Sequence, residues 1–514
     1  MGSFLKVSRR RFLASTAAVT GSLLLQPSFA AFAADAKTLR IAAREADGSA
    51  ATMDPAFNTS DPDSARISLA YERLVVLDES FTPAPQLAES WSSNDTADTW
   101  TFKLKPGVKF QDGTPLSARD VIYTYRRLVD PAVGSPAAAS MSVVDPDGIS
   151  ASDDLTVTFR LKGPVVEFPG LIANRFTYIV KDGALAEDLR TKGIGSGPFK
   201  VERFVPGEEP SVFVKSEHYW REGYPKVDVV ELRSIPDTAA HMSALQSGQI
   251  DLSWDVPRIG LAALEGNADV AVQSVPSPFV MSFSMLVDTP PFDDVRVRTA
   301  MKLVVDRQQM IDIALSGRGR VGYDTPVAPW VQYGLPETDR PRDIAKAKQL
   351  LAEAGHPDGI DVELYTSEAT EGFIDMATLY QAMASEAGIR VKINKTPADD
   401  YFANIWRKVP FCCSSKSGRN ADEAMATFYL SDAKWNDTHW QNKEFDGYIA
   451  EARRTVDRAR RTEIYQAAQR LLQEDGGAIV PMFSDAVGAT RANVSGWKVH
   501  PQKFSKDFST VTIG

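Results

Sequence analysis

The feature that most restricts the fold is a regular alternation of helix and strand patterns in the second half of the chain. Residues 342–354 and 374–387 have the apolar spacing of helices, and each run ends at a glycine. Strand patterns follow them at 362–365 and 389–393. Because this alternation is typical of α/β proteins with parallel strands, the sequence predicts an α/β lobe here.

Further elements are predicted on both sides of this alternation. Residues 295–314 are spaced as one long helix, and helices are also predicted at 398–407 and within 445–475. Two final strands are predicted at 478–482 and 486–491. Together these elements predict a chain that is mixed α and β throughout its second half.

The first half of the chain has a different pattern, with short strands and close turns. Residues 100–104 alternate apolar and polar side chains, as half-buried strands do. Turn signals follow at 105–107 and 112–113. Ser117 and Asp120 then form a capping box at the start of a predicted helix. The pattern predicts a hairpin-rich region.

The first 34 residues are predicted to be an export signal and no part of the fold. A basic start, Lys6 and 9–11, precedes an apolar run at 12–25 and a small-x-small cleavage pattern at 31–33. Residues 8–13 resemble a twin-arginine signal, and an ordinary Sec signal is the alternative. We therefore expect a periplasmic, soluble protein, without a lipid anchor because no cysteine follows the cleavage pattern.

Charge restricts the class of partner. The net charge is −10, and removal of the signal, which holds four basic and no acidic residues, makes it −14. An acidic chain has no excess of Lys and Arg to displace the counterions of a nucleic acid, so we expect no nucleic-acid partner.

No catalytic motif is found in the sequence. It contains no nucleophile elbow, no phosphate-binding loop and no pair of histidines at i, i+4 spacing, although a metal site built from distant segments stays open. Cys412 and Cys413 are adjacent, so they cannot form a disulfide framework. Packing in a strand, a soft metal site and a redox role are their three interpretations. We expect no enzyme activity and no cofactor.

Several segments, in the same order, resemble the family 5 extracellular solute-binding proteins of ABC importers, which bind peptides, opines, nickel complexes and some sugars. The matching segments cover nearly the whole chain after the signal and comprise 87–91, 100–115, 195–199, 219–220, 244–251, 292–298 and 345–355. The resemblance implies capture of a peptide or peptide-like solute and its delivery to an ABC permease complex. Binding of an opine, glycoside or metal chelate is the alternative, with a secreted hydrolase as a more distant one.

The resemblance also implies a two-lobed α/β periplasmic-binding-protein fold and a monomer. Lobe I is expected over residues 35–280, with an extra hairpin-rich subdomain at about 71–197. Lobe II is expected over 281–485, and the tail 486–514 returns to lobe I. The solute is expected to lie between the lobes, which close around it.

The segment 411–440 is the expected ligand-facing part of lobe II, because charged, amide and aromatic side chains alternate in it. A solvated loop above packed aromatic side chains is the alternative interpretation. The candidate ligand-binding residues here are Arg419, Asp422, Trp435, Asn436 and Trp440.

The ionic anchors of the family's dipeptide-binding members are missing. The resemblance places Ser367 where those members hold the ligand carboxylate with Arg, and residues 416–419 include no Asp to hold the amino group. Our hypothesis is that Arg419 is an anion anchor and Asp422 a cation anchor. Three residues near the first strand complete the candidate set, namely Asn58, Asp61 and Tyr71.

Overall fold

The computed structural model describes residues 36–138, 140–337 and 340–514, so the predicted export signal lies outside the described residues. Among these residues, no helix combines the length and the apolar character that crossing a membrane requires. The strands are β1 Thr38–Ala43, β2 Val75–Leu77, β3 Pro83–Pro85, β4 Ala88–Ser93, β5 Thr99–Leu104, β6 Val144–Asp153, β7 Thr156–Leu161, β8 Phe199–Arg203, β9 Ser211–Lys215, β10 Val229–Ser234, β11 Leu252–Ser253, β12 Val270–Met285, β13 Gly319–Val321, β14 Ile360–Ser367, β15 Ile389–Thr396, β16 Phe411–Lys416, β17 Ala478–Arg491, β18 Val494–Ser495 and β19 Thr512–Ile513.

Helices occur between these strands. They are α1 Asp61–Ala70, α2 Ala118–Val129, α3 Phe168–Leu171, α4 Ala186–Thr191, α5 Thr238–Ser247, α6 Leu261–Glu265, α7 Val295–Leu303, α8 Arg307–Ala314, α9 Ile344–Glu353, α10 Phe373–Ser385, α11 Ala398–Asp400, α12 Ala421–Tyr429, α13 Lys443–Arg454 and α14 Arg458–Asp475.

One large sheet connects two lobes, with the strand order β15-β14-β16-β12-β17-β11-β1-β10-β9-β8. The lobe I part contains parallel pairs of β1 with β10 and β11. The lobe II part contains the parallel pairs of β14 with β15 and β16. The long strands β12 and β17 pair antiparallel and cross between the parts. The predicted two-lobed α/β fold is confirmed.

The crossing strands are irregular at two places, and the more pronounced irregularity is at 275–279. Val275 pairs with Ala486 and Phe279 pairs with Ser484, so three residues of β12 face the single residue Asp485 of β17. Two of these three residues, Pro276 and Pro278, have no N–H to donate to a ladder. The irregularity therefore follows from the proline content, and it lies where the sheet passes from one lobe to the other.

The hairpin-rich region is also confirmed. It forms an antiparallel sheet of order β4-β5-β7-β6, whose buried face carries the aromatic residues Trp100, Phe102 and Phe159. The predicted capping box is present at α2, where the Ser117 N–H donates to the Asp120 carboxylate at 2.7 Å. We call this sheet and α2 the subdomain.

Some predicted elements have different bounds in the structure. The single helix expected at 295–314 is two helices, α7 and α8, because the Asp306 carboxylate caps α8 by accepting from the Gln309 N–H at 2.9 Å. The two strands expected at 478–482 and 486–491 are the one strand β17, because β12 pairs with both halves. The helix expected at 398–407 is the short helix α11 followed by a π-helical turn at Tyr401–Ile405.

Two of the segments that carry the family resemblance meet at a buried carboxyl group, Glu72. Trp220 Nε1 donates to this carboxylate at 2.8 Å, Ser196 Oγ at 3.0 Å and Tyr219 OH at 3.3 Å. Burial raises the pKa of Glu72 to about 7, although these donors oppose the shift. The segments 195–199 and 219–220 thus have a structural role, since both bind the carboxyl group that follows α1.

The cores follow this organisation. One apolar cluster fills lobe II around Phe283, Tyr380 and Phe411. A second fills lobe I around Leu39 and Phe213, and the tail adds Trp497, Val499 and Phe508 to it. A third joins the subdomain to helices α12–α14. The subdomain therefore packs against lobe II as well as lobe I.

Candidate ligand-binding cleft

A cavity of about 1010 Å³ lies between the two lobes beside the crossing strands. Loops at the carboxyl ends of β1 and β11 line it from lobe I, and the loop at the carboxyl end of β14 lines it from lobe II. Ligands of α/β proteins bind at this edge of parallel sheets, and the volume suits a small solute. The lining side chains include Arg44, Glu45, Trp254, Asp255, Arg258, Phe279, Thr370, Glu371, Lys503 and Lys506.

The lobe I wall contains a buried charge network around Asp61. Its carboxylate accepts from Lys506 Nζ at 2.9 Å and from Trp254 Nε1 at 2.7 Å. Burial alone would raise the pKa of Asp61, but the positive charges of Lys506 and Lys503 outweigh it and lower the pKa. Asp61 is therefore ionised and fixed in the wall.

Glu45 belongs to the same network. Its carboxylate accepts from the Asp61 N–H at 2.9 Å and lies 3.5 Å from Lys503 Nζ. Burial lowers the pKa of Lys503, but Asp255, Asp61 and Glu45 outweigh burial and raise it. The lobe I wall therefore presents charges of both signs to the cavity.

Glu371 connects the lobe II wall to lobe I. Its carboxylate accepts from the Arg258 backbone N–H at 2.8 Å and from Arg44 Nη1 at 3.3 Å. Both arginines belong to lobe I, while Glu371 follows β14 of lobe II. This contact joins the two walls of the cleft.

A second part of lobe II combines cations with aromatic rings. Arg419 contacts the Glu423 carboxylate and lies over the Phe428 ring at 5.4 Å. Trp435 is 48% exposed, and its ring centroid is 6.1 Å from that of Phe428 and 6.5 Å from that of Trp406. The charge of Arg419 is thus paired with Glu423, and neither Arg419 nor Trp435 is among the residues that line the cavity.

Comparison with known proteins identifies the family. The family model described as Bacterial extracellular solute-binding proteins, family 5 Middle, matches residues 82–451. The chain belongs to this family. The Glutathione-binding protein GsiB of Shigella dysenteriae serotype 1 (strain Sd197) is 28% identical over 470 residues, which cover 88% of this chain and 90% of the relative.

Solved structures agree with the fold of this family 5 solute-binding protein. The substrate-binding protein CtaP from Listeria monocytogenes has a TM-score of 0.82 at 24% identity, over 93% of this chain and 99% of the other. MoaA from A. tumefacien R10, solved in complex with mannopinic acid, has a TM-score of 0.75 at 25% identity, with the same coverage of both chains.

The eight candidate residues from the sequence are not all at the cleft. Asp61 lies in the lobe I wall, and Arg419 and Trp435 lie on the second part of lobe II described above. The remaining five are buried in the interior of this family 5 solute-binding protein.

Asp422 is buried under α13 and α14. Its carboxylate accepts from Arg453 Nε and Nη2, each at 2.9 Å, and from Tyr465 OH at 2.8 Å. The charge of Asp422 raises the pKa of Arg453. Since the carboxylate is already satisfied by these donors, it has a structural role where the sequence indicated a cation anchor.

Trp440 and Asn436 stabilise the fold of the 411–440 segment. Trp440 Nε1 donates to Asp475 at 2.7 Å and its ring packs on Phe445, with centroids 5.2 Å apart. Asn436 Nδ2 donates to the Trp440 carbonyl at 2.7 Å. Both side chains are buried.

Asn58 and Tyr71 are also buried. Asn58 Nδ2 donates to the Arg175 carbonyl at 2.7 Å and its Oδ1 accepts from Ser64 Oγ at 2.6 Å. Burial raises the pKa of Tyr71, so the phenol stays protonated. The Tyr71 hydroxyl has no hydrogen-bond partner among the described residues.

The cysteine pair lies in the core of lobe II, on β16. Both thiols are buried and free, and burial raises the pKa of Cys412 to about 12. Within the described ranges, no group of three or more His, Cys, Asp or Glu side chains is arranged to hold a metal ion. The packing interpretation of the pair therefore agrees with its position.

Sequence reasoning missed Glu45, Glu371, Lys503 and Lys506. A sequence pattern could have indicated Glu45 and Glu371, because each follows the carboxyl end of a parallel strand, where ligand-binding sites are common. Lys503 and Lys506 had no local signal, since the tail reaches the cleft only through tertiary packing.

Proposed function

We propose that this protein captures a peptide-like small solute between its lobes and delivers it to an ABC permease complex. The observation that carries the proposal is the cleft itself, which is lined from both lobes and bridged by the contact of Glu371 with Arg258. A solute that contacts both walls favours the closed form by its additional contacts. The permease can then distinguish the closed, solute-loaded protein from the open, empty one.

The names of relatives suggest the first solutes to test. Proteins similar to this chain are described as glutathione-binding, as bound to the peptide STSA and as bound to mannopinic acid. All three solutes carry carboxylates beside polar groups, and the cleft offers cations and anions in both walls. We propose a small peptide such as glutathione first, with an opine, glycoside or metal chelate as the alternative.

From the candidate residues we propose Arg419 and Trp435 for ligand binding, and Asp61 as the residue that orders the lobe I side of the binding site. Arg419 supplies positive charge, Asp61 orders the lobe I wall through Lys506, and Trp435 offers an exposed ring. The buried residues Asp422, Asn436, Trp440, Asn58 and Tyr71 are proposed to support the walls.

The domain division is part of the proposal. We place lobe I at 35–280, with its subdomain at about 71–197, lobe II at 281–485 and the returning tail at 486–514. The crossing of β12 and β17 near Phe279 and Asp485 supports these boundaries.

We further propose an exported, periplasmic protein without a lipid anchor that acts as a monomer, with no enzyme activity and no nucleic-acid partner. The acidic chain and the family support this assignment. The export route, twin-arginine or Sec, is decided by fusing residues 1–34 to a reporter and deleting the Tat components of the host.

Binding to residues 35–514 tests the function directly. Native mass spectrometry of freshly purified protein detects a co-purified solute, and titration calorimetry then measures glutathione, Ser-Thr-Ser-Ala and mannopinic acid. We expect one-to-one binding of at least one solute with no turnover. Release of a changed product would support the hydrolase instead, and no binding of any solute would overturn the peptide-like ligand.

A further inference from the structure

Asp485 lies on the crossing strand β17, at the point where the ladder with β12 is irregular. Its neighbours Ser484 and Ala486 pair with Phe279 and Val275, but Asp485 itself has no partner residue on β12. Irregularities of this kind are common beside binding sites, where they redirect a side chain. Asp485 is also among the residues that line the cavity between the lobes. The irregularity therefore coincides with a carboxylate that borders the cavity.

The carboxylate of Asp485 is buried but incompletely bonded. The residue is 7% exposed, and its Oδ2 accepts from Ser274 Oγ at 3.1 Å. Its Oδ1 has no hydrogen-bond partner among the described residues. The Nε atom of Arg320 lies 3.7 Å from Oδ1, which is too far for a hydrogen bond, and the Arg320 side chain is 54% exposed. A buried carboxylate oxygen without a donor is costly, so a donor from a ligand would stabilise it.

One other described carboxylate has a buried oxygen without a hydrogen-bond partner, namely Oδ1 of Asp437. The second oxygen of Asp437, however, accepts from Lys416 Nζ at 2.8 Å and from Ser414 Oγ at 2.6 Å. The charge of Asp437 is thus paired inside lobe II, and Asp437 is not among the residues that line the cavity. Asp485 is therefore the described carboxylate that combines an unbonded buried oxygen with a position at the cavity.

The charges beside Asp485 favour a cation. Among the described residues of lobe II that line the cavity, every charged side chain is acidic, and these residues are Glu368, Glu371, Asp375 and Asp485. Arg258 of lobe I donates from Nη2 to the Asp485 carbonyl at 3.1 Å, but its guanidinium is paired with Glu371. A wall with charges of one sign attracts a ligand group of the opposite sign.

We infer that Asp485 binds the protonated amino group of the solute, so that the protein selects peptides with a free amino group over their N-acylated derivatives. An ammonium group has three donors and forms strong charge-assisted hydrogen bonds to a carboxylate. The inference rests on the proposed function of the cleft, and it makes Asp485 a specificity-determining residue that contacts the solute directly.

This assignment replaces the cation anchor that the sequence suggested. Asp422 is bonded to Arg453 and Tyr465 in the interior, and residues 416–419 include no Asp. Asp485 comes from the crossing strand and not from the 411–440 segment. The amino group of the solute is therefore bound at the boundary of the lobes.

Two peptide pairs test the selectivity. Titration calorimetry compares glutathione with N-acetylglutathione, and Ser-Thr-Ser-Ala with N-acetyl-Ser-Thr-Ser-Ala. Acetylation removes the positive charge of the amino group and leaves the carboxylates in place. We expect the wild type to bind each free amine at least about ten-fold more tightly than its acetylated partner.

Asp485→Asn removes the charge at this point. The amide keeps the size of the side chain and can still accept from Ser274 Oγ. We expect this variant to bind the free amines about ten-fold more weakly than the wild type does. Its binding of the acetylated peptides should not change, so the preference disappears.

Arg320→Gln is the matched control, because Arg320 is the ion-pair partner of Asp485 but is not among the residues that line the cavity. If Asp485 served only to hold Arg320, both substitutions would have the same effect on affinity. We expect Arg320→Gln to bind the free amines at least as tightly as the wild type, since a competing cation is removed. Asp312→Asn, at an exposed position of α8, should change neither affinity nor preference.

The outcomes separate the inference from the proposed function. Equal binding of free and acetylated peptides by the wild type would overturn the inference alone, as would a preference that survives in Asp485→Asn. A loss of the same size in Arg320→Gln or Asp312→Asn would also overturn it. If Asp485→Asn does not fold, the comparisons with the wild type and Arg320→Gln still decide. A wild type that binds none of the peptides would overturn the peptide-like function and the inference with it.

Discussion

Glu371 of lobe II accepts a hydrogen bond from the backbone N–H of Arg258 of lobe I at 2.8 Å. The same carboxylate reaches Arg258 Nη1 at 3.4 Å and Arg44 Nη1 at 3.3 Å. One side chain therefore joins two segments of the opposite wall, and the contact exists only when the lobes approach.

Glu371→Gln should weaken closure and leave the fold of each lobe intact. The amide keeps the size of the side chain and can still accept from the backbone, but it loses the attraction to two guanidinium groups. For a partly exposed pair we expect a loss of about 0.5–1 kcal/mol of closing free energy. Glutathione affinity by calorimetry should fall by about two- to five-fold, and scattering should detect a less closed complex. Glu386→Gln removes an ion pair with Arg342 within lobe II and should change neither quantity.

The buried carboxyl of Glu72 predicts a pH dependence of stability. Burial raises its pKa from 4.5 to about 7, so the folded state favours the protonated form. The stabilisation is complete below pH 4.5 and is lost as the pH rises through 7. Relative to Glu72→Gln, we expect the free energy of unfolding of the wild type to fall by up to about 3 kcal/mol across that range.

Denaturant unfolding at a series of pH values measures this difference. Glu89→Gln, at an exposed position of β4, should track the wild type at every pH. A wild-type curve parallel to that of Glu72→Gln would show that Glu72 titrates normally.

Asp422→Asn separates a structural role from ligand binding. The substitution removes the charge that Arg453 pairs with, and it leaves a partly buried cation without a partner. We expect a loss of about 1–3 kcal/mol in the free energy of unfolding, reduced from the cost of a fully buried pair because Arg453 is partly exposed. Glutathione affinity measured well below the melting temperature should not change. Asp399→Asn, an exposed lobe II substitution, is the control for stability, and a large loss of affinity in Asp422→Asn would restore its role as a cation anchor.

Trp435 and Trp440 should respond in opposite ways to substitution. Trp435→Ala removes a half-exposed ring, so we expect less than about 1 kcal/mol of lost stability and a several-fold loss of solute affinity. Trp440→Phe removes the bond to Asp475 and should cost about 1–2 kcal/mol in stability with affinity unchanged. Denaturant unfolding and calorimetry on both variants provide the comparison, and equal affinity losses would contradict this division of roles.

The sequence predicted the elements that depend on local pattern. Helices α9 and α10 and strands β5, β14 and β15 follow the apolar spacing and the glycines at helix ends. The break between α7 and α8 was missed, because the apolar spacing continues through the capping residue Asp306.

The cleft was less predictable than the elements around it. Asp422 lies in a polar segment that resembles a ligand-facing loop. Its carboxylate is nevertheless paired inside the protein with Arg453, a residue 31 positions later in the chain. Lys506 lies in the tail, and its contact with Asp61, 445 positions earlier in the chain, follows only from tertiary packing. Charge pattern alone cannot distinguish a carboxylate that is paired inside the protein from one that is free to bind a solute.

The crossing of β12 and β17 has a consequence for how such receptors can diversify. The chain leaves lobe I along β12 and returns along β17, and Phe279 and Ser484, at the boundary of the lobes, are direct partners in the ladder. Lobe II is thus inserted between two neighbouring points of one sheet. A lobe II of different sequence can be exchanged at these points without rerouting lobe I, so one half of the recognition surface can change while the other half is inherited.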